Sequence, residues 1–155
     1  MAKKLAGGYT QKLLRVDLTN EKIDEEHLDT TLLSNYLGGT CLGIKYLYDE
    51  VSPHINWDDP RNIIFIGSGP IGGTRVPGSG AFSIVTKGAF NNGVASTQAN
   101  GFLGAYLKFS GVDAILVSGT ATNWKYIYCH DGIVEIKDAK HLVGKDTWDT
   151  ENLIK

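Results

Sequence analysis

From Pro60 through Val112 the chain carries no acidic residue. Its 17 acids, spread evenly over 155 residues, would place about six in those 53 positions. Cysteine is scarce as well: Cys41 and Cys129 are too few to build a four-ligand cysteine site from this chain alone. No apolar run approaches the ~18 residues of a membrane span. The opening "MAKKLAGG" has no apolar core and is not a secretory signal. With nothing marking export, the reducing cytoplasm is the expected location. A net charge of −2 gives no reason to expect nucleic acid or an anionic membrane as partner. What remains is an ordinary globular composition, 42% hydrophobic and 21% charged, long enough for one domain over 1–155 with its own core.

Alternating apolar residues Leu14, Val16 and Leu18, followed by "TNEK", predict an N-terminal hairpin with a second strand near Ile23 to His27. A capping residue at Asp29 or Thr30 opens a helical stretch that Gly38-Gly39 divides in two. "NIIFIGSGP" predicts a buried strand ending in a glycine turn, and "AFSIVTKGAFNNGVAST" two strands around Asn92-Gly93. "GFLGAYLKF" predicts a short helix with Asn100 as its N-cap. Three further strands follow in "VDAILVSG", "WKYIYCH" and "IVEIKD", the last two joined across Asp131-Gly132. "DTWDTENLIK" begins a helix that has no C-cap, as expected of a chain that continues elsewhere. Strands outnumber helices and hairpins dominate. The expected fold class is therefore α+β, with largely antiparallel sheets and a few short helices.

Residues 67–72, "GSGPIG", match the G-x-G-x-x-G of a dinucleotide fold. That fingerprint needs a helix starting inside it, which Pro70, Gly72-Gly73 and Pro77 forbid, and an acid about 20 positions later, which is missing. No Lys-Ser or Lys-Thr follows the glycines, so a P-loop is excluded too. His27, His54, His130 and His141 contain no i,i+4 pair, and the two cysteines read as core or near-surface thiols. Tyr126, Ile127 and Tyr128 alternate as a packing strand does.

The stretch from 76 to 111 stands apart, because small residues cluster there, acids are excluded and a helix start follows "STQAN". Helical N–H groups near Arg75 suit a phosphate-bearing ligand that approaches the main chain closely. A purely structural glycine cluster is the alternative, and residue chemistry alone does not name the ligand.

The blocks "YLGGTCLGIKYLYDEV", "NIIFIGSGPIGGTRVPGSGAFSIVTK", "NGFLGAYLKFSGVDAILVSGTA" and "IYCHDGIVEIKDAKHLVGKD" resemble, in order, the N-terminal domain of tungsten-containing aldehyde:ferredoxin oxidoreductases. The resemblance runs from about Gly8 to the end. Its specific parts are G-P-x-x-G-T, S-x-V-T-K and G-A-x-L-K-x-x-G-x-D-A-I. It implies a β-rich base for a tungsten (or molybdenum) bis-pterin cofactor. The remaining C-terminal domains, or a companion subunit, would supply a [4Fe–4S] cluster and the aldehyde channel. The implied reaction oxidises an aldehyde with water to a carboxylic acid and delivers two electrons to ferredoxin. A non-catalytic module that kept the fold without cofactor is the alternative.

The candidate cofactor contacts are Arg75, Gly78, Ser79, Gly80, Ala81, Phe82, Ser83, Gln98, Ala99, Asn100 and Gly101, of which the resemblance carries over Ala81 and Gln98 by matching blocks. The Gln98 carbonyl is implied as a ligand of Mg2+ between the pterin phosphates. An arginine that bridges pterin and cluster in the family corresponds here to Ala81, so that bridge is absent or passes to Arg75. This departure leaves the substrate class open. Phosphates and an oxyanionic metal centre would explain the excluded carboxylates.

Overall fold

A computed structural model describes residues 7–130 and 132–155. The order is β1 (Lys12–Asp17), β2 (Lys22–His27), α1 (Thr30–Tyr36), α2 (Gly39–Glu50), β3 (Ile63–Ser68), β4 (Phe82–Lys87) and β5 (Val94–Ala99). Then come α3 (Leu103–Phe109), β6 (Ala114–Ser118), β7 (Lys125–His130), β8 (Ile133–Asp138), a 3-10 turn (Lys140–Leu142) and α4 (Thr147–Ile154). Six strands form one sheet in the order β2-β1-β6-β3-β4-β5, and β7 pairs with β8 separately. Every pairing is antiparallel except β1 with β6, which is parallel. The expected α+β class therefore holds. Of the expected Asp131-Gly132 turn, Asp131 lies outside the described residues.

Alternation along the strands splits the interior into two layers. Leu13, Phe65, Val85 and Leu116 point to the face covered by α1 and α2, where Leu33, Leu42, Tyr46 and Leu47 meet them. Leu14, Val16 and Ile115 point to the other face, under Leu107 of α3 and Ile127, Val134 and Ile136 of the β7–β8 hairpin. Burying both faces is what lets the sheet accept a parallel pair.

Helix α2 lies tightly on the sheet because Gly43 has no Cβ. One built there would stand 2.7 Å from both Phe65 Cδ1 and Val85 Cγ2. Phe65 is fully buried and stacks on Tyr46, with ring centroids 6.0 Å apart. At the C-terminal half of α2, Arg15 of β1 forks onto Glu50 at 2.9 and 2.6 Å and also bonds Glu26. The Tyr46 hydroxyl donates to Glu26 at 2.5 Å. Burial, then that hydrogen bond, push the Tyr46 phenol above its ordinary range. These contacts fix α2 against β1 and β2, and so fix where its N-terminus points.

Candidate functional site

The start of α2 opens onto a cavity of about 300 Å³, walled by residues 37–41, residues 67–72, Gly78, Ser79, Ala81, Phe82, Ser83 and Gln98. None of these residues carries a charge. Two of its walls come from segments that the sequence reading did not assign to the site.

The first is the junction of the two helices. Asp29 caps α1, accepting from the Thr31 N–H at 2.6 Å, as the sequence predicts. The helix ends in a γ-turn in which Gly38 N–H donates to Tyr36 O at 2.6 Å around Leu37, held at φ +58°. Gly38 (φ +143°) and Gly39 (φ +52°) then carry the chain into α2, and a Cβ on Gly38 would lie 2.8 Å from Ser68 O. No side chain caps α2. The only signal in the sequence was a glycine pair at a helix start with no capping side chain.

The second is the "GSGPIG" stretch, which turns after β3 and enters no helix. The dinucleotide reading is thereby excluded. Ser68 of this wall is buried and its hydroxyl donates to Ala81 O at 3.3 Å.

Of the residues expected from the sequence, Gly78, Ser79, Ala81, Phe82, Ser83 and Gln98 line the cavity. Ser83 and Gln98 are register partners across β4 and β5. Gln98 Nε2 donates to Thr40 Oγ1 at 3.3 Å, which itself lies 3.2 Å from Ser96 Oγ, tying β5 to the start of α2. Gly80 stands behind the wall, where a Cβ would meet Gly101 O at 1.8 Å. Arg75, Ala99, Asn100 and Gly101 are exposed and outside the lining.

Asn100 requires a correction. It does not cap α3: the N-cap position is Phe102, in an αR conformation, and no side chain bonds the first turn. Strand β5 runs to Ala99 and Gly101 takes φ +154°, so the helix starts too late for Asn100 to reach it. With only seven residues and no cap, α3 is also the weaker of the two helix starts for holding an anion.

The basic character of the acid-free window is largely consumed by structure. Arg61 forks onto Asp59 at 2.9 and 2.6 Å, and buried Lys87 donates to Pro53 O at 2.9 Å, just past the end of α2. Lys108 pairs with Asp113, the first acid after the window. Among the described residues, only Arg75 of the four bases has no hydrogen-bond or ion-pair partner. Neutral donors, rather than cations, therefore characterise this cavity. A larger cavity of about 480 Å³, between Ile44, Leu47, Tyr48, Val51 and Val94, contains none of the expected site residues.

The two thiols differ. Cys41 is exposed at the cavity, whereas Cys129 is half-buried among the β7–β8 apolar residues, and burial pushes its thiol up. We expect iodoacetamide to label Cys41 well before Cys129 at neutral pH, because Cys129 presents less thiolate and less access. Peptide mass spectrometry reads the two rates, and equal rates would contradict this placement.

Residues 13–155 match the model of the aldehyde ferredoxin oxidoreductase N-terminal domain. The chain belongs to that family. The tungsten-containing aldehyde ferredoxin oxidoreductases of Pyrococcus abyssi and Pyrococcus horikoshii are 37% and 38% identical over 148 residues, each covering 96% of this chain. The aliphatic sulfonate oxidoreductase WOR-like subunit of Pyrococcus furiosus is 38% identical over 139 residues, 88% of this chain. This chain spans 24%, 24% and 22% of those three proteins. Among solved structures, one chain of the active site complex BamBC of benzoyl coenzyme A reductase with 1,5-dienoyl-CoA superposes at TM-score 0.92 with 32% identity. That match covers 96% of this chain and 23% of the other. Among the described residues no helix is long and apolar enough to cross a membrane.

Proposed function

We propose that this chain is the cofactor-supporting base of a tungsten-pterin oxidoreductase that oxidises aldehydes to carboxylic acids with ferredoxin as electron acceptor. The observation that carries the reading is the uncharged cavity at the uncapped start of α2, within a family whose relatives bear tungsten in their names. Its residues fit a phosphate-bearing pterin: small walls admit close approach, main-chain donors face an anion, and no carboxylate repels one. When bound, the cofactor would supply the two-electron redox centre. The aldehyde gains the oxygen of water and releases two electrons and two protons. Gln98, Ser83, Gly78, Ser79, Ala81 and Phe82 would hold and orient the cofactor edge, and Mg2+ would sit by the Gln98 carbonyl.

The other partners are proposed on size and surface. A [4Fe–4S] cluster and a substrate channel would come from further domains or a companion subunit. At the N-cap of α3 and along it, Phe102, Tyr106 and Phe109 are exposed at 78%, 60% and 67%, with ring centroids 6.2 Å apart for Phe102–Tyr106 and 6.1 Å for Tyr106–Phe109. Such an aromatic ridge fits a surface that other domains cover. Ala81 in the cavity wall supports a second substrate reading, an acid-level or thioester substrate like those in the names of the sulfonate and coenzyme A relatives.

The test is anaerobic purification of the native protein that contains this chain, alongside the 155-residue chain alone. The native protein is expected to hold tungsten or molybdenum and to reduce viologen with an aldehyde, while the chain alone does neither. Absence of both metals from the native protein would refute the reading. Metal without aldehyde activity would favour the second substrate class.

A further inference from the structure

We infer that a phosphate group binds at the N-terminus of α2, between the main-chain N–H groups of Gly39, Thr40 and Cys41 and the hydroxyl of Ser83. Two independent observations meet there. Helix α2 is twelve residues long, has no side-chain cap, and points the positive end of its dipole into the cavity. The Gly38 N–H is already used by Tyr36 O, but the N–H groups of residues 39–41 have no partner outside the helix among the described residues. Ser83 is the second observation. It is 4% exposed, yet its hydroxyl makes no hydrogen bond with any described residue.

That hydroxyl faces the same space. Its oxygen lies 3.2 Å from where a Cβ on Gly39 would stand. No fully enclosed side-chain polar atom among the described residues lacks a partner, so the Ser83 hydroxyl keeps its opening to the cavity it lines. A hydroxyl that the protein leaves unpartnered at a cavity wall is free to donate to a bound group. A phosphate oxygen would accept from it and from the helix N–H groups together. The wall adds no cation, so the recognition is by dipoles and hydrogen bonds, which suits a phosphate whose charge is shared with a divalent metal.

The assignment of this phosphate to a pterin cofactor rests on the proposed function, but the site does not. The test is therefore in two arms. In the first, inorganic phosphate is titrated into the 15N-labelled 155-residue chain and amide shifts are followed. Saturable shifts are expected at Gly39, Thr40 and Cys41, and not at Leu103 or Gly104 of α3. Ser83→Ala loses no hydrogen bond within the protein and should give an otherwise unchanged spectrum. It should raise the half-saturating phosphate concentration about tenfold, the loss of one hydrogen bond to a charged group. No saturable shift at 39–41, or equal affinity in Ser83→Ala, would overturn the site.

In the second arm, the native protein carrying Ser83→Ala is assayed for bound pterin. Reduced pterin content is expected. Full pterin content in a variant that has lost phosphate binding would mean the site serves another phosphate and would overturn the cofactor assignment. If the native protein never contains pterin while the first arm succeeds, the proposed function fails and the phosphate site stands.

Discussion

Asp113→Ala is expected to cost about 3–5 kcal/mol, the usual penalty for breaking a buried ion pair by removing one partner. The carboxylate is 2% exposed and does three jobs at once. It accepts from the Thr10 N–H at 3.2 and 3.1 Å and from the Gln11 N–H at 2.8 Å, and it pairs with Lys108. Lys108 is itself 7% exposed and otherwise donates to Gly8 O at 2.9 Å. Without the carboxylate, a nearly enclosed ammonium is stranded and the Thr10 and Gln11 N–H groups lose their acceptor, so the chain before β1 loses its anchor to β6 and α3. Against a total stability of about 5–15 kcal/mol, that removes about a fifth or more. Urea unfolding should show a lower midpoint with an unchanged slope. Adding Lys108→Met to Asp113→Ala should recover part of the loss, since the stranded charge is gone. A loss under about 1 kcal/mol for the single variant would show that the network is not load-sharing as its geometry implies.

Gly80→Ala should be nearly as damaging, and for a steric reason. The new Cβ would fall 1.8 Å from Gly101 O, a main-chain atom that cannot rotate away. Gly104 closes the same seam from the other side, with its own Cβ position 2.4 Å from Ala81 O. Residues 78–81 would have to part from residues 101–104, moving Ala81 and Phe82 at the cavity wall. Roughly 3 kcal/mol is expected, the upper part of the range for forced overpacking. Gly78→Ala is the control two residues away. There a Cβ meets nothing within 4 Å and only the φ of +82° is strained, so about 1 kcal/mol should be lost and the cavity kept. If the two variants unfold at the same urea concentration, the close seam between Gly80 and Gly101 is not a constraint in solution.

The elements themselves were written locally. Asp29 caps α1 because a short carboxylate before an apolar-periodic run needs only its own neighbours to reach an N–H. The β4–β5 turn falls at Asn92, at φ +54°, because that conformation is tolerated by few residues. The alternation of Leu14, Val16 and Leu18 likewise told strand from helix without reference to anything distant. Asn100 shows where local reading fails: its residue type suits a cap, but the start of α3 is set by how far β5 pairs with β4.

The fold class and the family could be read from the sequence alone, because turn chemistry, periodicity and ordered motif blocks are properties of neighbours in the chain. The site's location could not. Its walls bring Gly38 to Ser68, Thr40 to Gln98 and Ser83 to Gly39, and the parallel pairing of β1 with β6 joins segments about a hundred residues apart. Which helix start is left uncapped beside a buried, unpartnered hydroxyl depends on α2 settling onto the sheet through Gly43. That is decided by the joint packing of both layers, a long-range condition that no single stretch of sequence contains.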